Sequence, residues 1–233
     1  MRVLAWNILR GGRARTAQIV EAICTHAPEV IVLSEYQAAG STSIIEALQG
    51  NGWPHFIGTT QQKRQGGLAV LSSSLLEARP RPAGLKGFER HYLGVSLPES
   101  GLEVRAIYGP LDRMTHGQYW TELLKVLQAE SANEVLVVGD FNSGSPNFDA
   151  PIAGVFSGKF FDQLPAMGFT DLWRAKSGVD AREHTWQGSK NPYRLDHAFG
   201  SASLASRVRA CAYSHDERTA AISDHSILLV DIG

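Results

Sequence analysis

The sequence predicts an α/β protein in which two sheets pack together and helices cover the outside. Three observations predict it. Short apolar runs stand at both ends of the chain and in its middle. Paired runs separated by turn residues mark hairpins. Helical periodicity is confined to a few segments between those runs. With 233 residues, the chain can bury a substantial core. No linker rich in proline, serine or glycine divides it and no segment repeats, so residues 1–233 are expected to form a single domain.

Val3 to Ile8 reads as the first strand, with Asn7 at its end and Arg10-Gly11-Gly12 turning the chain. Arg13 to His26 carries Ile19, Val20 and Ile23 on one helical face, and Pro28 stops it. Glu29 to Glu35 is a second buried strand. This strand–helix–strand unit lacks Gly-x-Gly-x-x-Gly, which argues against a dinucleotide fold. Ser41 to Gln49 is a short helix with Ser41 as its expected cap. Gly52 to Gly58 reads as a short strand, Gln61 to Gly67 as a polar basic loop, and Leu68 to Leu71 as core. His91 to Leu97 and Leu102 to Tyr108 flank Pro98-Glu99-Ser100-Gly101 as a hairpin. Tyr119, Leu123, Leu124 and Leu127 mark the apolar face of a helix over Thr115 to Glu130. Asn133 to Gly139 is a core strand. After a looser stretch from Asp149, Phe160 to Met167 reads as a short helix and Thr170 to Trp173 as the start of another. Ser177 to Asn191 is a long polar loop; strands resume at Tyr193 to Phe199, Ala205 to Tyr213 and His225 to Ile232.

Apolar residues make up 43% of the chain, and its formal net charge is -1. That balance gives no footprint for wide, non-specific wrapping of nucleic acid, though it allows a local basic patch. Cys24 and Cys211 have no partner at metal-ligand spacing and read as buried thiols. No apolar run reaches about 18 residues, so no membrane span is expected. The first residues turn polar at once, so no secretory leader is expected, and the compartment read from this is cytoplasmic. A monomer is the default expectation.

The informative pattern lies at the polar ends of the apolar runs. Leu136-Val137-Val138-Gly139 ends in Asp140-Phe141-Asn142, and this spacing points Asp140 and Asn142 the same way on extended chain. Asn7, Glu35 and Tyr108 end other runs; Asp196, Asp224 and His225 begin them. Each has a bland alternative: an Asx turn for Asp140 and Asn142, a turn residue for Asn7, a solvated cap for Glu35, packing for Tyr108, a structural histidine for His225. Together they make chemical sense. Charged residues beside core strands need partners or a ligand. The carboxylates offer hard oxygen ligands that suit Mg²⁺ or Mn²⁺, not zinc, and no His-Glu-x-x-His occurs. A histidine oriented by a carboxylate is a base unit, and the set suits attack of water on phosphorus.

The ordered set Trp6-Asn7, Ser34-Glu35, Tyr108-x-Pro110, Gly139-Asp140-Phe141-Asn142, Thr185-Trp186, Arg194-Leu195-Asp196-His197 and Ser223-Asp224-His225 resembles the endonuclease/exonuclease/phosphatase superfamily. That group includes DNase I, exonuclease III-type abasic-site endonucleases, neutral sphingomyelinases, inositol-polyphosphate 5-phosphatases and tyrosyl-DNA phosphodiesterase 2. The resemblance runs from Trp6 to His225. It implies a four-layered α/β sandwich, two mixed β-sheets packed face to face with outer helices, and a site at one edge. It implies Glu35 as main metal ligand with Asn7 beside it and Asp224 as a second acidic group near the metal. Asp140 would position or deprotonate the attacking water, and Asn142 would hold a phosphate oxygen or the metal site. Asp196 would orient His225, which would bind the scissile phosphate or act as base. Tyr108 would lie against the phosphate or leaving group. Two departures bear on substrate. Abasic-site endonucleases usually carry Asp where this chain has Leu9 and Asn where it has Leu111. Both weaken the abasic-site reading, and Leu9 weakens any second metal position.

Arg10, Arg13 and Arg15 follow the first motif; Lys63 and Arg64 fall in a predicted loop, Arg113 follows the Tyr-x-Pro turn, and Arg182 and Lys190 lie in the long loop. Around the metal edge they would form a positive rim for phosphate contacts; elsewhere they are solvated loop charges. Among Trp120, Trp173 and Trp186, the polar surroundings of Trp186 suit stacking on a base. The reading is a metal-dependent phosphodiesterase, a nuclease acting on DNA. The alternatives are a phosphatase or phosphodiesterase for a small-molecule or lipid-headgroup phosphate, and a catalytically inactive binding domain.

Overall fold

The computed structural model describes residues 1–59, 65–130, 133–146, 148–150, 158–187 and 191–233. In chain order the strands are β1 (Arg2–Asn7), β2 (Val30–Tyr36), β3 (His55–Gly58), β4 (Gly67–Ser72), β5 (Glu77–Ala78), β6 (Tyr92–Leu97) and β7 (Leu102–Tyr108). They continue with β8 (Val135–Asp140), β9 (Phe169–Asp171), β10 (Trp186–Gln187), β11 (Pro192–Tyr193), β12 (Asp196–Ser201), β13 (Val208–Ser214) and β14 (Ile227–Ile232). One six-stranded sheet has the order β13-β14-β1-β2-β4-β3 and the other β5-β6-β7-β8-β12-β9; β10 and β11 form a separate small hairpin. Both large sheets are mixed. Each contains one parallel pair, β1 with β2 and β7 with β8, among antiparallel neighbours. A helix bridges each parallel pair: α1 (Thr16–His26) in the first sheet and, after α2 (Thr42–Gly50), α3 (Arg113–Glu130) in the second.

The side-chain period of two explains the layers. On β1, Val3 and Ala5 point inward with Val30, Val32 and Val70, against Val104, Ala106, Leu136 and Val138 of the other sheet. Leu4 and Trp6 point outward, with Ile31 and Leu33, onto Ile19 and Ile23 of α1 and Ile44 and Leu48 of α2. On the far side Ile107, Val135 and Val137 meet Tyr119, Trp120, Leu123 and Leu127 of α3. The strands are buried on both faces, which is why they read as continuous apolar runs. The result is the expected α/β sandwich: helices, sheet, sheet, helices.

Several element boundaries differ from the sequence reading. Arg13–Arg15 is a separate 3-10 turn before α1, and Arg13 itself has a left-handed φ of 45°. Ser41 does not cap α2 through its side chain; its hydroxyl donates to the Gly11 carbonyl at 3.2 Å and accepts from the Gln37 amide at 3.1 Å. The expected helix at Phe160 divides into α4 (Gly158–Phe161) and α5 (Gln163–Ala166), because Pro165 has no N–H to bond the Phe161 carbonyl. Thr170 belongs to edge strand β9, and the helix begins after it as α6 (Leu172–Ser177), capped by Asp171 accepting from the Arg174 amide at 3.1 Å. The expected strand from Tyr193 breaks at Arg194 and Leu195 into β11 and β12. Cys211 is buried as a free thiol and Cys24 is half-buried. No helix among the described residues is long and apolar enough to cross a membrane.

Candidate active site

Strand direction and register gather the polar ends at one edge of the sandwich. The carboxyl ends of β1 and β2 lie together, with Asn7 opposite Ser34. In the second sheet Tyr108 lies opposite Asp140, and the antiparallel start of β12 puts Asp196 opposite Asp140 on its other side. Two glycines permit this crowding. A Cβ at Gly139, whose φ is 139°, would lie 2.2 Å from the Ile107 carbonyl oxygen, and one at Gly109 would lie 2.0 Å from that of Phe141. The Asn7 amide joins the two sheets, donating to Asp140 Oδ2 at 2.9 Å and Glu35 Oε1 at 3.3 Å.

Asp140 is buried. Its Oδ1 accepts from the Asn142 amide at 2.9 Å, and the Asn142 side chain donates to the Gly109 carbonyl at 2.9 Å. Burial, with Asp196 nearby, holds the Asp140 carboxyl well above the usual carboxylate range, although His225 acts against this. His225 arrives because β14 runs antiparallel to β1, so the start of one meets the end of the other. The Trp6 indole N–H donates to the His225 carbonyl at 3.0 Å, the Ser223 hydroxyl to the Asn7 carbonyl at 2.6 Å, and the Ser226 amide to the Thr185 carbonyl at 2.8 Å. His225 Nδ1 lies 2.9 Å from Asp196 Oδ2, and its Nε2 faces Asp140 Oδ2 at 3.9 Å. Burial alone would lower the His225 pKa; Asp196 and Asp140, then Asp224, outweigh it and raise it above the ordinary value. The Thr185 hydroxyl donates to Asp196 Oδ2 at 2.5 Å, and Tyr213 donates to the Asp196 carbonyl at 2.7 Å.

Asp140, Asp196 and His225 offer ligand atoms that all lie within 4.8 Å of one another, so this cluster is geometrically capable of holding a metal ion. Two further carboxylates face the same edge. Glu35 sits at a register irregularity in β2 with a left-handed φ of 57°, and its Oε2 accepts from the Arg10 amide at 2.6 Å. Asp224 Oδ2 accepts from the Trp186 indole N–H at 3.0 Å, whereas its Oδ1 is buried with no hydrogen-bond partner among the described residues. Of the seven described non-glycine residues with positive φ, Leu9 (50°), Arg10 (53°), Glu35 and Asn142 (47°) belong to this edge. Tyr108 stacks on His91 with ring centroids 5.6 Å apart; burial, then Glu35 and Asp140, raise its pKa.

Asn7, Glu35, Tyr108, Asp140, Asn142, Asp196, Asp224 and His225 are therefore at one edge, whereas Phe141 lies in the outer core and Arg194 and His197 in a neighbouring ion network. Arg10 and Arg13 are exposed on the loop after β1. Arg113 is the first residue of α3, but its side chain lies outside the described residues, as do Lys63, Arg64 and Lys190. Arg182 is exposed, with its guanidinium 5.8 Å from the Phe148 ring centroid. Trp120 is fully buried in the outer layer, and Trp173 is a core residue under Arg194, which lies 4.6 Å from its ring centroid. The sequence reading gave no role to the Thr185 hydroxyl, Ser223 or Tyr213, and it read Arg15 only as a candidate for the phosphate rim. Arg15 clamps the edge from behind, donating to the carbonyls of Leu9 (2.5 Å), Ile8 (3.2 Å) and Ile222. The available signal was position: Thr185 and Ser223 each open one of the motifs.

The model of the endonuclease/exonuclease/phosphatase family matches residues 4–225 of this chain. Three solved structures resemble it along their lengths. The 3′ phosphatase NExo from Neisseria, bound to a product DNA hairpin, is 20% identical with a TM-score of 0.85 and covers 100% of this chain and 99% of its own. An AP endonuclease from Archaeoglobus fulgidus is 17% identical with a TM-score of 0.85, covering 100% of this chain and 99% of its own. The 3′-5′ exonuclease NExo from Neisseria meningitidis is 19% identical with a TM-score of 0.82 and the same coverage, 100% and 99%. Among curated proteins no sequence matches this chain. The structural likenesses show a shared fold, and the family model, which spans nearly the whole chain and every residue of the edge cluster, places the chain in the endonuclease/exonuclease/phosphatase family.

Proposed function

We propose that this protein is a metal-dependent phosphodiesterase, a nuclease acting on DNA, with residues 1–233 working as one monomeric domain. One buried chain of contacts carries the reading: Asp196 to His225, His225 facing Asp140, Asp140 to Asn7, and Asn7 to Glu35. Asp140 has one hydrogen bond on each carboxylate oxygen and lone pairs left to orient a water for in-line attack. Asp196 keeps His225 oriented and charged, so its Nε2–H can meet a phosphate oxygen as negative charge grows there. Asn142 has a second amide hydrogen for another phosphate oxygen. The Tyr108 hydroxyl, kept protonated, serves the leaving group.

Glu35, Asn7 and Asp224 would hold a divalent cation, Mg²⁺ or Mn²⁺. The donor set fits: all are oxygen ligands, and Asp224 Oδ1 is a buried carboxylate oxygen without a partner. When bound, the cation supplies Lewis-acid withdrawal of charge from the phosphate. Arg10 and Arg13, exposed on the segment after β1, would contact the phosphate backbone, as would Lys63, Arg64 and Arg113. DNA is favoured as substrate because the similar structures include one bound to a DNA hairpin and one AP endonuclease. Leu9 and Leu111 argue against abasic sites as the preferred target.

The test is a cleavage panel with EDTA or with added Mg²⁺ or Mn²⁺: single-stranded DNA, duplex, abasic duplex, RNA, DNA bearing a 3′-phosphate, and a generic phosphomonoester. The expected result is metal-dependent cutting of DNA that falls by at least about 10³-fold in His225→Ala, with the folded circular-dichroism spectrum retained. Phosphate release from the generic monoester alone would move the protein to the small-molecule phosphatase alternative. Full activity in His225→Ala would sink the site assignment.

A further inference from the structure

Trp186 stands in the loop where a base-stacking platform was expected, but its contacts point elsewhere. It pairs across the small hairpin with Tyr193, and the two rings stack with centroids 5.9 Å apart and planes at 25°. One face of the indole is therefore covered by protein. Its ring also lies 6.4 Å from that of His225, and its backbone forms an isolated bridge to the same residue. The indole is half-buried, and its single N–H is committed to Asp224 Oδ2 at 3.0 Å. A base-stacking platform needs an open face, and one of the two faces of this ring is taken by Tyr193. The same hydrogen bond has a consequence for Asp224. A carboxylate has two oxygens that rotate together about one bond. Fixing Oδ2 therefore fixes Oδ1, which is the buried oxygen left without a partner.

We propose that Trp186 is a positioning residue that pins one oxygen of Asp224 so that the other stays aimed at the divalent cation. The inference rests on the reading of Glu35, Asn7 and Asp224 as the cation site. It assigns Trp186 to the support of a metal ligand, the class of contact that sets ligand orientation and affinity in metal sites. The hairpin of β10 and β11 then has a defined task. It carries the Thr185 hydroxyl to Asp196 and, one residue later, the Trp186 N–H to Asp224, so one short segment orients two carboxylates.

The experiment is calorimetric titration of the full-length protein with Mn²⁺, without substrate, in wild type, Trp186→Phe, Asp224→Asn and the double variant. Phenylalanine keeps an aromatic ring to stack on Tyr193 and removes the indole N–H. Trp186→Phe is expected to weaken Mn²⁺ binding about tenfold. In the Asp224→Asn background the same change is expected to have no further effect, because the tryptophan acts through that carboxylate. Binding of single-stranded DNA in EDTA is expected to stay within about twofold of wild type, where a lost stacking platform would lower it by far more. Unchanged Mn²⁺ affinity in Trp186→Phe would overturn the inference, as would an equal loss in the Asp224→Asn background. Loss of DNA affinity alone would assign Trp186 to base stacking. If wild type itself binds no Mn²⁺, both the inference and the metal reading beneath it fall.

Discussion

His197 and His225 are both buried, and their charges are pushed in opposite directions. His197 sits beside Arg194; burial, then that guanidinium, lower its pKa well below the ordinary value. Its Nδ1 faces Arg194 Nη2 at 3.0 Å and its Nε2 the Ser143 carbonyl at 2.9 Å, which fits a neutral ring accepting at one nitrogen and donating at the other. His225 is enclosed among Asp196, Asp140 and Asp224, which together raise it. The neighbourhoods differ in their charge balance. Around His197, Arg194 and Arg174 stand against Asp149 and Asp171, with Arg194 Nη1 3.2 Å from Asp149 and Nη2 2.5 Å from Asp171. Around His225, the carboxylates of Asp196, Asp140 and Asp224 surround that imidazole, and Asp224 and Glu35 also lie near Arg15. A closed ion network suits a scaffold; an excess of carboxylate oxygen suits a site that awaits a cation.

The largest test breaks the closed side. Arg194 is fully buried, so Arg194→Met should cost about 3–5 kcal/mol by leaving Asp149 and Asp171 under-compensated. Urea unfolding measures it, and a loss below about 1 kcal/mol would remove the distinction between the two clusters.

The next test separates the histidines by pH, in EDTA. His91 is lowered to about 4 by burial, and His197 is also lowered, so below about 6.5 the unfolded chain takes up protons that the folded chain refuses. Their stability is lost as pH falls from about 6.5 towards 4, on the order of 3 kcal/mol for His91. His225 has the opposite sign. Raised above its unfolded value, it contributes stability that is present below about 6.5 and is lost as pH rises through its folded value. Asp140, also raised, loses its contribution as pH climbs above the usual carboxylate range, which opposes part of the acid loss. Denaturation midpoints across pH should show an alkaline limb that His225→Gln removes while the acid limb persists. An alkaline limb unchanged in that variant would mean His225 is not held charged.

The smallest effect sharpens the open side. Mg²⁺ at ten times its dissociation constant should stabilise the fold by about 1.4 kcal/mol, or roughly 4 °C in a thermal melt. Asp224→Asn should shrink that shift, while Arg194→Met, though less stable, should keep it. Equal shifts in wild type and Asp224→Asn would exclude Asp224 as a ligand.

Of the two clusters, only the one around His225 was legible in the sequence, and unevenly. Asp140 and Asn142 could be placed because an apolar run fixes the strand and its end fixes the site. Glu35 and Asn7 followed from the same logic. The supporting contacts were not legible, because they join residues that the chain separates widely. Trp6 meets the His225 carbonyl, and Ser223 meets that of Asn7, only because β14 returns beside β1. Short elements also escaped. β10 and β11 have two residues each, too few for a period, and both stand in polar sequence. β9 was hidden because Asp171 ends the strand and caps the following helix at once. The arginines and lysines of the loops gave no spatial information, since a loop charge has no periodicity to fix its direction.

The left-handed backbone at Glu35 and Asn142 has an evolutionary consequence. For glutamate that conformation costs on the order of 1–2 kcal/mol relative to glycine, which adopts it freely, and for asparagine, which tolerates it better, less. At both positions the most comfortable residue is therefore the one without the chemistry. A lineage or a laboratory library selected only for resistance to heat would drift towards glycine at 35 and 142. It would gain stability and, on the proposed reading, shed a cation ligand and a phosphate contact while the sandwich stayed intact. On the proposed reading, glutamate and asparagine at these two positions are what selection for turnover would keep against the preference of the backbone.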